Sequence, residues 1–284
     1  MKIKEQALDF GFWCGWNVLW TLPEKLSRSL FDRVALSAWN RQIKGIRQLE
    51  MNIARVIGSS PKDPRVRELS KEAIRSYMRY YCETFLLPRW SDDRLLNSVR
   101  AENVESVQKA LEEGGVILTL PHSGNWDHAG AWCAKYLGSL ATVAERLRPE
   151  GVFQKFLKMR TERGMTIMPL TGEGGTYEYL RDNVVRGKVV ALLGDRDVAR
   201  NGMSNSFFGA KASLPIGAAV LAVDTGRPLF TCSTWYDNET LVITFDEQVP
   251  IKLETSISGR DRLRKAQEIT SVVAQRFEKH ISAH

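Results

Sequence analysis

The feature that most constrains the fold is an alternation of short apolar segments and amphipathic segments after about residue 95. The apolar segments have the length of buried strands and are Val116–Leu120, Ala141–Glu145, Thr166–Leu170 and Val189–Leu193. Helical patterns lie between them, at about residues 124–137, 149–163 and 174–186. Strands that alternate with helices are typical of βαβ units, so the pattern predicts a largely parallel sheet with helices on its faces.

Two later apolar segments have a shorter connection. Pro228–Tyr236 and Thr240–Phe245 are joined at Asp237-Asn238, which predicts an antiparallel hairpin at the edge of the sheet. A last helix is predicted from about Arg260 to the end of the chain. The sheet is therefore expected to be mixed, although mostly parallel.

The first 90 residues have a helical pattern only. Helices are predicted within Glu5–Gly58, with Pro23 in the first turn of a second helix, and over Arg65–Leu87. No repeat and no low-complexity linker separates this part from the rest. We therefore expect one α/β domain of 284 residues, with an α/β core over residues 95–284 and a helical, membrane-facing cap over residues 1–90.

Basic residues are concentrated in the helical part. Between Lys25 and Tyr80 there are 13 Lys and Arg against 5 Asp and Glu, a surplus of 8, whereas the whole chain has a net charge of +7. Such a surface attracts nucleic acid, an anionic membrane or a phosphorylated substrate. Because no nucleic-acid motif accompanies it, we expect contact with an anionic membrane surface and no nucleic acid.

The apolar segment Phe10–Leu22 is too short and too interrupted to span a membrane. It contains three tryptophans, a residue type that favours the boundary between water and lipid. A helix that lies on the membrane and an ordinary core helix both fit this segment. The four cysteines are far apart and form no Cys-x-x-Cys pair, so buried thiols are expected rather than a zinc site or a disulfide framework.

Two of the four histidines, His122 and His128, lie where the first predicted strand of the core passes into a helix. His122 is followed five positions later by Asp127, with Gly124 between them. If His122 lies in the turn and Asp127 in the first turns of the helix, the carboxylate can accept from one imidazole nitrogen. The other nitrogen is then able to take a proton. This spacing predicts a general base with an orienting carboxylate.

Two other interpretations of the same residues stay open. His122 can cap a helix while Asp127 is a first-turn acid favoured by the helix dipole. A metal site is the second, but the spacing of His122, Asp127 and His128 matches no standard set of ligands, so no metal is expected.

The segment His122-Ser-Gly-Asn-Trp-Asp127 resembles the H-x4-D block of the glycerolipid acyltransferase superfamily, and its surroundings resemble the bacterial glycolipid branch. Ala144–Glu150, Gly194–Asp197, Phe207–Gly209 and Leu214-Pro215 narrow the resemblance to the phosphatidylinositol mannoside acyltransferases of mycobacteria and related actinobacteria. The similarity covers about residues 8–282.

The resemblance implies an enzyme that moves a long-chain acyl group, with palmitoyl expected, from acyl-CoA to a mannose hydroxyl of a phosphatidylinositol mannoside. Acyl-CoA is then a substrate and no cofactor is expected. His122 would be the base and Asp127 its partner. The substrate-binding residues would be Glu145, Arg148, Arg160, Asp195, where relatives have glutamate, and Arg196.

The implied protein is a peripheral enzyme at the cytoplasmic face of the cell membrane. Alternatives are another glycolipid or lysophospholipid acyltransferase of the lipid A type, an acyl-CoA thioesterase, and a non-catalytic lipid-binding protein.

Overall fold

A computed structural model describes residues 15–170, 174–251 and 259–284. Part of the predicted segment Phe10–Leu22, including Cys14, lies outside these ranges. The chain divides into two compact units, Met1–Trp90 and Ser91–His284. Within the described ranges, no helix combines the length and the apolarity that a membrane span needs.

The first unit is helical, as predicted. Its helices are α1, described over residues 15–21, α2 (Glu24–Asn40), α3 (Lys44–Val56) and α4 (Pro64–Leu86), followed by the 3-10 turn Leu87–Arg89. The predicted helical stretch is interrupted before α3, where Gln42 has a φ of 49°. Helix α4 begins where the sequence indicates, because Asp63 accepts from the backbone N–H of Arg65 and Pro64 occupies the first position.

The second unit contains seven further helices among its described residues. They are α5 (Asp92–Asn97), α6 (Glu105–Glu113), α7 (Trp126–Tyr136), α8 (Glu150–Glu162), α9 (Thr176–Val185), α10 (Gly217–Thr225) and α11 (Gly259–Ala283). The strands are β1 (Val99–Glu102), β2 (Val116–Leu120), β3 (Leu140–Glu145), β4 (Met165–Leu170), β5 (Val189–Leu193), β6 (Met203–Phe207), β7 (Ala210–Leu214), β8 (Leu229–Asp237) and β9 (Thr240–Gln248).

Seven of the described strands form one mixed sheet in the order β1-β9-β8-β2-β5-β3-β4. All neighbouring pairs are parallel except β8 and β9. The predicted α/β fold is therefore confirmed, as is the β8–β9 hairpin. The hairpin does not form the edge, however, because the four-residue strand β1 pairs with β9 on its outer side. Strands β6 and β7 form a separate antiparallel hairpin.

Helices cover both faces of the sheet. Helices α9, α10 and α11 share a buried apolar cluster with β2 and β5, in which Ile117, Val190 and Phe277 are fully buried. Helices α7 and α8 pack on β3 and β4, and a Cβ at Gly130 of α7 would lie 2.9 Å from the sulfur of Met165. The chain moves toward β4 through α7 and α8 and moves back through α9 and α10. Because crossovers between parallel strands are right-handed, helices that connect strands in opposite directions lie on opposite faces of the sheet.

The sheet brings the ends of three strands to one edge. Strand β5 lies between β2 and β3, and Leu120 at the end of β2 pairs with Leu193 at the end of β5. Strands β3 and β5 pair only at their beginnings, over Leu140 and Ala141. The sheet therefore opens at the carboxyl ends of its strands, where ligands bind in folds of this class.

Candidate functional site

His122 lies at this edge, two residues beyond β2. Its Nδ1 is 2.6 Å from Oδ1 of Asp195, and its backbone N–H donates to Oδ2 of the same carboxylate at 3.1 Å. Asp195 lies two residues beyond β5, so the two side chains meet because Leu120 and Leu193 are register partners. The carboxylate therefore fixes both the backbone and the ring of His122.

This pairing sets the tautomer of His122. A carboxylate accepts, so Nδ1 carries the proton and Nε2 presents a lone pair. Among the described residues, none makes a hydrogen bond to Nε2, and the side chain is 23% exposed. The ring of Trp126 lies edge-on, with 5.0 Å between the ring centroids. The ring is thus held in one orientation with Nε2 partly accessible, which is the geometry that a general base requires.

Asp127 has a different partner from the one expected. It lies in the first turn of α7 and receives two hydrogen bonds from Arg160 of α8, at 2.6 and 3.1 Å. Asp127 is 3% exposed, and the side chain of Arg160 is 17% exposed. Within the described part of the chain, no hydrogen bond joins Asp127 to His122, because the helix directs the carboxylate toward α8. The carboxylate that contacts the ring of His122 is that of Asp195, and the Asp127–Arg160 pair joins helices α7 and α8.

The loop after His122 depends on a glycine and on β8. Gly124 has a φ of 51°, in the left-handed region that favours glycine. A Cβ at this position would lie 2.6 Å from the carbonyl oxygen of Thr234. The hydroxyl of Thr234 donates to the carbonyl of Ser123, and the side chain of Asn125 caps α7 by accepting from the N–H of His128. Strand β8 thus supports the loop from one side, a contact that the sequence did not indicate.

Three other predicted site residues lie at the same edge, at the end of a strand or just after one. Glu145 is the last residue of β3, and Arg148 and Arg196 follow β3 and β5. All three are exposed. Within the described residues, Glu145 forms no ion pair with Arg146 or Arg148, and Arg146 pairs instead with Glu150 at 2.9 Å. These side chains are accessible to a substrate, whereas the guanidinium of Arg160 is held by Asp127.

Asp197 holds the loop that carries Asp195. It accepts from the hydroxyl of Ser213 at 2.7 Å and from the N–H of Gly202 at 2.9 Å. These bonds, led by the one from Ser213, hold the pKa of Asp197 below its ordinary value. The β6–β7 hairpin is thereby tied to the loop between β5 and β6.

Three of the four cysteines lie in the described residues, and all three are buried and free. Burial raises the pKa of Cys82 and of Cys133 to about 12. A thiol with such a pKa is a poor nucleophile at neutral pH. The expectation of buried thiols is confirmed for these residues.

The family of the chain follows from sequence comparison, which confirms the resemblance. The chain matches the family described as bacterial lipid A biosynthesis acyltransferase over residues 2–284. It is 34% identical over 281 residues to the phosphatidylinositol mannoside acyltransferase of Mycolicibacterium smegmatis, an alignment that covers 98% of this chain and 88% of that protein. It is 35% identical to the protein of the same name from Mycobacterium tuberculosis, with coverages of 100% and 87%. The chain therefore belongs to the bacterial lipid A biosynthesis acyltransferase family.

Proposed function

We propose that this acyltransferase moves a long-chain acyl group, with palmitoyl expected, from acyl-CoA to a mannose hydroxyl of a phosphatidylinositol mannoside. The acceptor is proposed because two relatives that align with nearly the whole chain have that name. The mechanism rests on one observation, the 2.6 Å contact between Nδ1 of His122 and Asp195. It leaves Nε2 able to take a proton from a sugar hydroxyl.

In the proposed reaction, Nε2 of His122 removes the hydroxyl proton while the sugar oxygen attacks the thioester carbonyl. A C–O bond forms and the C–S bond breaks. The proton on Nε2 then passes to the departing thiolate, which gives free coenzyme A and an ester. Asp195 stabilises the imidazolium that forms between these steps, because its carboxylate is already bonded to Nδ1.

Substrate binding is assigned to the exposed charged residues at the same edge. Glu145 can accept hydrogen bonds from sugar hydroxyls, and the exposed guanidinium groups of Arg148 and Arg196 suit the phosphates of coenzyme A or of the acceptor. Asp195 has two oxygens, both of which already bond to His122, so its proposed role is to orient the base. The proposed role of Arg160 is to support Asp127, because its guanidinium already donates two hydrogen bonds to that carboxylate.

We further propose that the protein acts as a peripheral enzyme at the cytoplasmic face of the membrane. Helix α2 exposes Leu26, Leu30 and Val34, which are 52%, 46% and 47% exposed. Because these residues recur every four positions, they form one apolar stripe on the helix surface. The basic residues Lys25 and Arg33 beside it are exposed as well. An apolar stripe with cations beside it suits the surface of an anionic bilayer.

The central experiment replaces the proposed base. In His122→Ala, acyl transfer from palmitoyl-CoA to a mannosylated phosphatidylinositol should fall by about 10²–10⁴-fold. Both the release of free thiol and the acylated lipid are measured. The matched control is His128→Gln, because His128 is buried on α7 and its Nε2 contacts the hydroxyl of Ser98.

Each outcome of this experiment has a distinct meaning. Turnover near that of the wild type in folded His122→Ala would contradict the role of the imidazole. Thiol release that is equal with and without the mannosylated lipid would identify a thioesterase. Binding of palmitoyl-CoA without any thiol release would indicate a lipid-binding protein.

A further inference from the structure

A second histidine lies in a hydrogen-bonded network behind the site. Nδ1 of His280 in α11 is 3.0 Å from the hydroxyl of Ser233, and Nε2 is 2.8 Å from Oδ2 of Asp246. Serine, histidine and aspartate are also the components of a hydrolytic triad. Ser233 is only 2% exposed, however, and its hydroxyl cannot meet a substrate. The network therefore has another role.

We propose that His280 is a positioning residue for acyl transfer, which locks α11 onto β8 and β9 and thereby holds Asp195 on His122. The proposal rests on the proposed function of His122 as the base. In this proposal the last turns of α11 help to set the geometry of the site.

The first step is the attachment of α11 to the sheet. His280 has partners for both ring nitrogens, one on β8 and one on β9. One turn earlier, Arg276 donates to the hydroxyl of Thr231 at 3.1 Å and to the carbonyl of Glu247 at 2.6 Å. These bonds fix both the rotation and the height of the last turns of α11 against the hairpin.

The second step leads from α11 to Asp195. Phe277 is three positions before His280, so both side chains lie on the same face of the helix. Phe277 is fully buried, and a Cβ at Gly194 would lie 3.1 Å from its ring and 2.6 Å from the hydroxyl oxygen of Thr119. Gly194 immediately precedes Asp195. The ring of Phe277 therefore limits where the backbone of the Asp195 loop can lie.

The third step leads from β8 to the other side of His122. Neighbouring residues of a strand point to opposite faces, so Ser233 meets α11 while Thr234 meets the loop after His122. The segment of β8 that His280 holds is thus the segment that supports Ser123 and Gly124. Both supports of His122, the Asp195 loop and β8, contact the last turns of α11.

The test uses the full chain and the variant His280→Ala. We expect kcat for acyl transfer to fall by about 10- to 100-fold, with KM for both substrates changed little, because the base is misplaced while the binding residues stay. The proton on Nδ1 of His122 should give a low-field NMR signal, assigned by its absence in His122→Gln. We expect this signal to be lost or shifted in His280→Ala.

Two further variants keep the test decisive. Ser233→Ala removes only one of the two hydrogen bonds of His280. It should change kcat and the His122 signal in the same direction as His280→Ala. It therefore replaces His280→Ala in the test if that variant does not fold. Ile269→Ala is the matched control, because Ile269 is a buried residue of the same helix two turns before Phe277. It should lower the melting temperature at least as much, yet leave kcat and the His122 signal unchanged.

The results separate the two proposals. If His280→Ala and Ser233→Ala fold and leave both kcat and the His122 signal as in Ile269→Ala, the positioning role is overturned. If the signal is lost but no variant, nor the wild type, transfers acyl groups to the mannosylated lipid, the positioning role stands and the proposed function fails.

Discussion

Asp195 and Asp127 are both close to the loop after His122, but their carboxylates contact different side chains. The carboxylate of Asp195 contacts a ring that gains and loses a proton in the proposed reaction. The carboxylate of Asp127 contacts a guanidinium that is always charged. In the proposed reaction the first contact influences the rate of a proton transfer, whereas the second joins helices α7 and α8. The two aspartates should therefore differ in what their loss changes.

For Asp195→Asn we expect a loss of kcat of about 10²–10⁴-fold with little change in the free energy of unfolding. The amide of asparagine can donate to Nδ1, which moves the ring proton to Nε2 and leaves no base. The measurement is the rate of acyl transfer beside urea unfolding of the same sample.

The matched variant is Asp127→Ala, which removes a buried carboxylate and with it the two hydrogen bonds that Arg160 donates to Asp127. We expect its free energy of unfolding to fall by about 3–5 kcal/mol. If folded Asp127→Ala instead lost as much kcat as Asp195→Asn at unchanged stability, Asp127 would be the carboxylate that serves His122.

Among the secondary-structure elements, the apolar strands were predictable and the polar strand β6 was not. Strands β2 and β5 coincide with the predicted segments, because four of the five residues of β2 and all five of β5 are apolar, which is a clear signal. Strand β6, with the sequence Met-Ser-Asn-Ser-Phe, has no such signal. Its pairing with β7 depends on contacts far along the chain, such as that between Ser271 and Asn205.

The partner of His122 illustrates the same limit. The sequence indicated the histidine and both aspartates, but proximity along the chain favoured Asp127. The pair in contact, His122 and Asp195, depends on β5 lying next to β2 with Leu120 level with Leu193. Strand order and register come from tertiary packing, so the spacing of five residues could not reveal them. The available signal was that the predicted strands Val116–Leu120 and Val189–Leu193 have equal length. Each is followed two positions later by a polar residue, His122 or Asp195.

Helix α2 allows a prediction about the membrane. The triple variant Leu26→Ser, Leu30→Ser and Val34→Ser should bind vesicles of phosphatidylglycerol and phosphatidylcholine at least about 10-fold more weakly, because each side chain would lose its burial in lipid. Co-sedimentation with the vesicles measures the change. The fold should persist, since all three side chains are about half exposed.

The control for this experiment removes apolar surface elsewhere in the same unit. Met51→Ser with Leu69→Ser changes residues that are 48% and 45% exposed on α3 and α4. Vesicle binding of this control should match the wild type. Unchanged binding of the α2 variant would rule out its stripe as the contact with lipid.

For the whole molecule, stability should depend on pH through Asp246. Burial raises the pKa of this carboxyl, but hydrogen bonds from His280 and Thr231 and the charges of His280 and Arg276 outweigh it. The pKa therefore lies below the ordinary value of 3.8. Because the unfolded chain binds the proton more readily, Asp246 adds stability above this ordinary value. That stability is lost as the pH falls through the folded pKa.

Asp246→Asn should therefore lower the free energy of unfolding by about 1–3 kcal/mol at pH 7, where the carboxylate is charged and bonded to His280. The difference from the wild type should shrink as the pH falls below about 4, because the wild type loses the charged form as well. Urea unfolding at a series of pH values measures both effects. Ile269→Ala, which removes no charge, should show a difference that does not change with pH. If the difference for Asp246→Asn is also constant down to pH 2, its charge does not stabilise the fold, and packing alone fastens the last helix to the sheet.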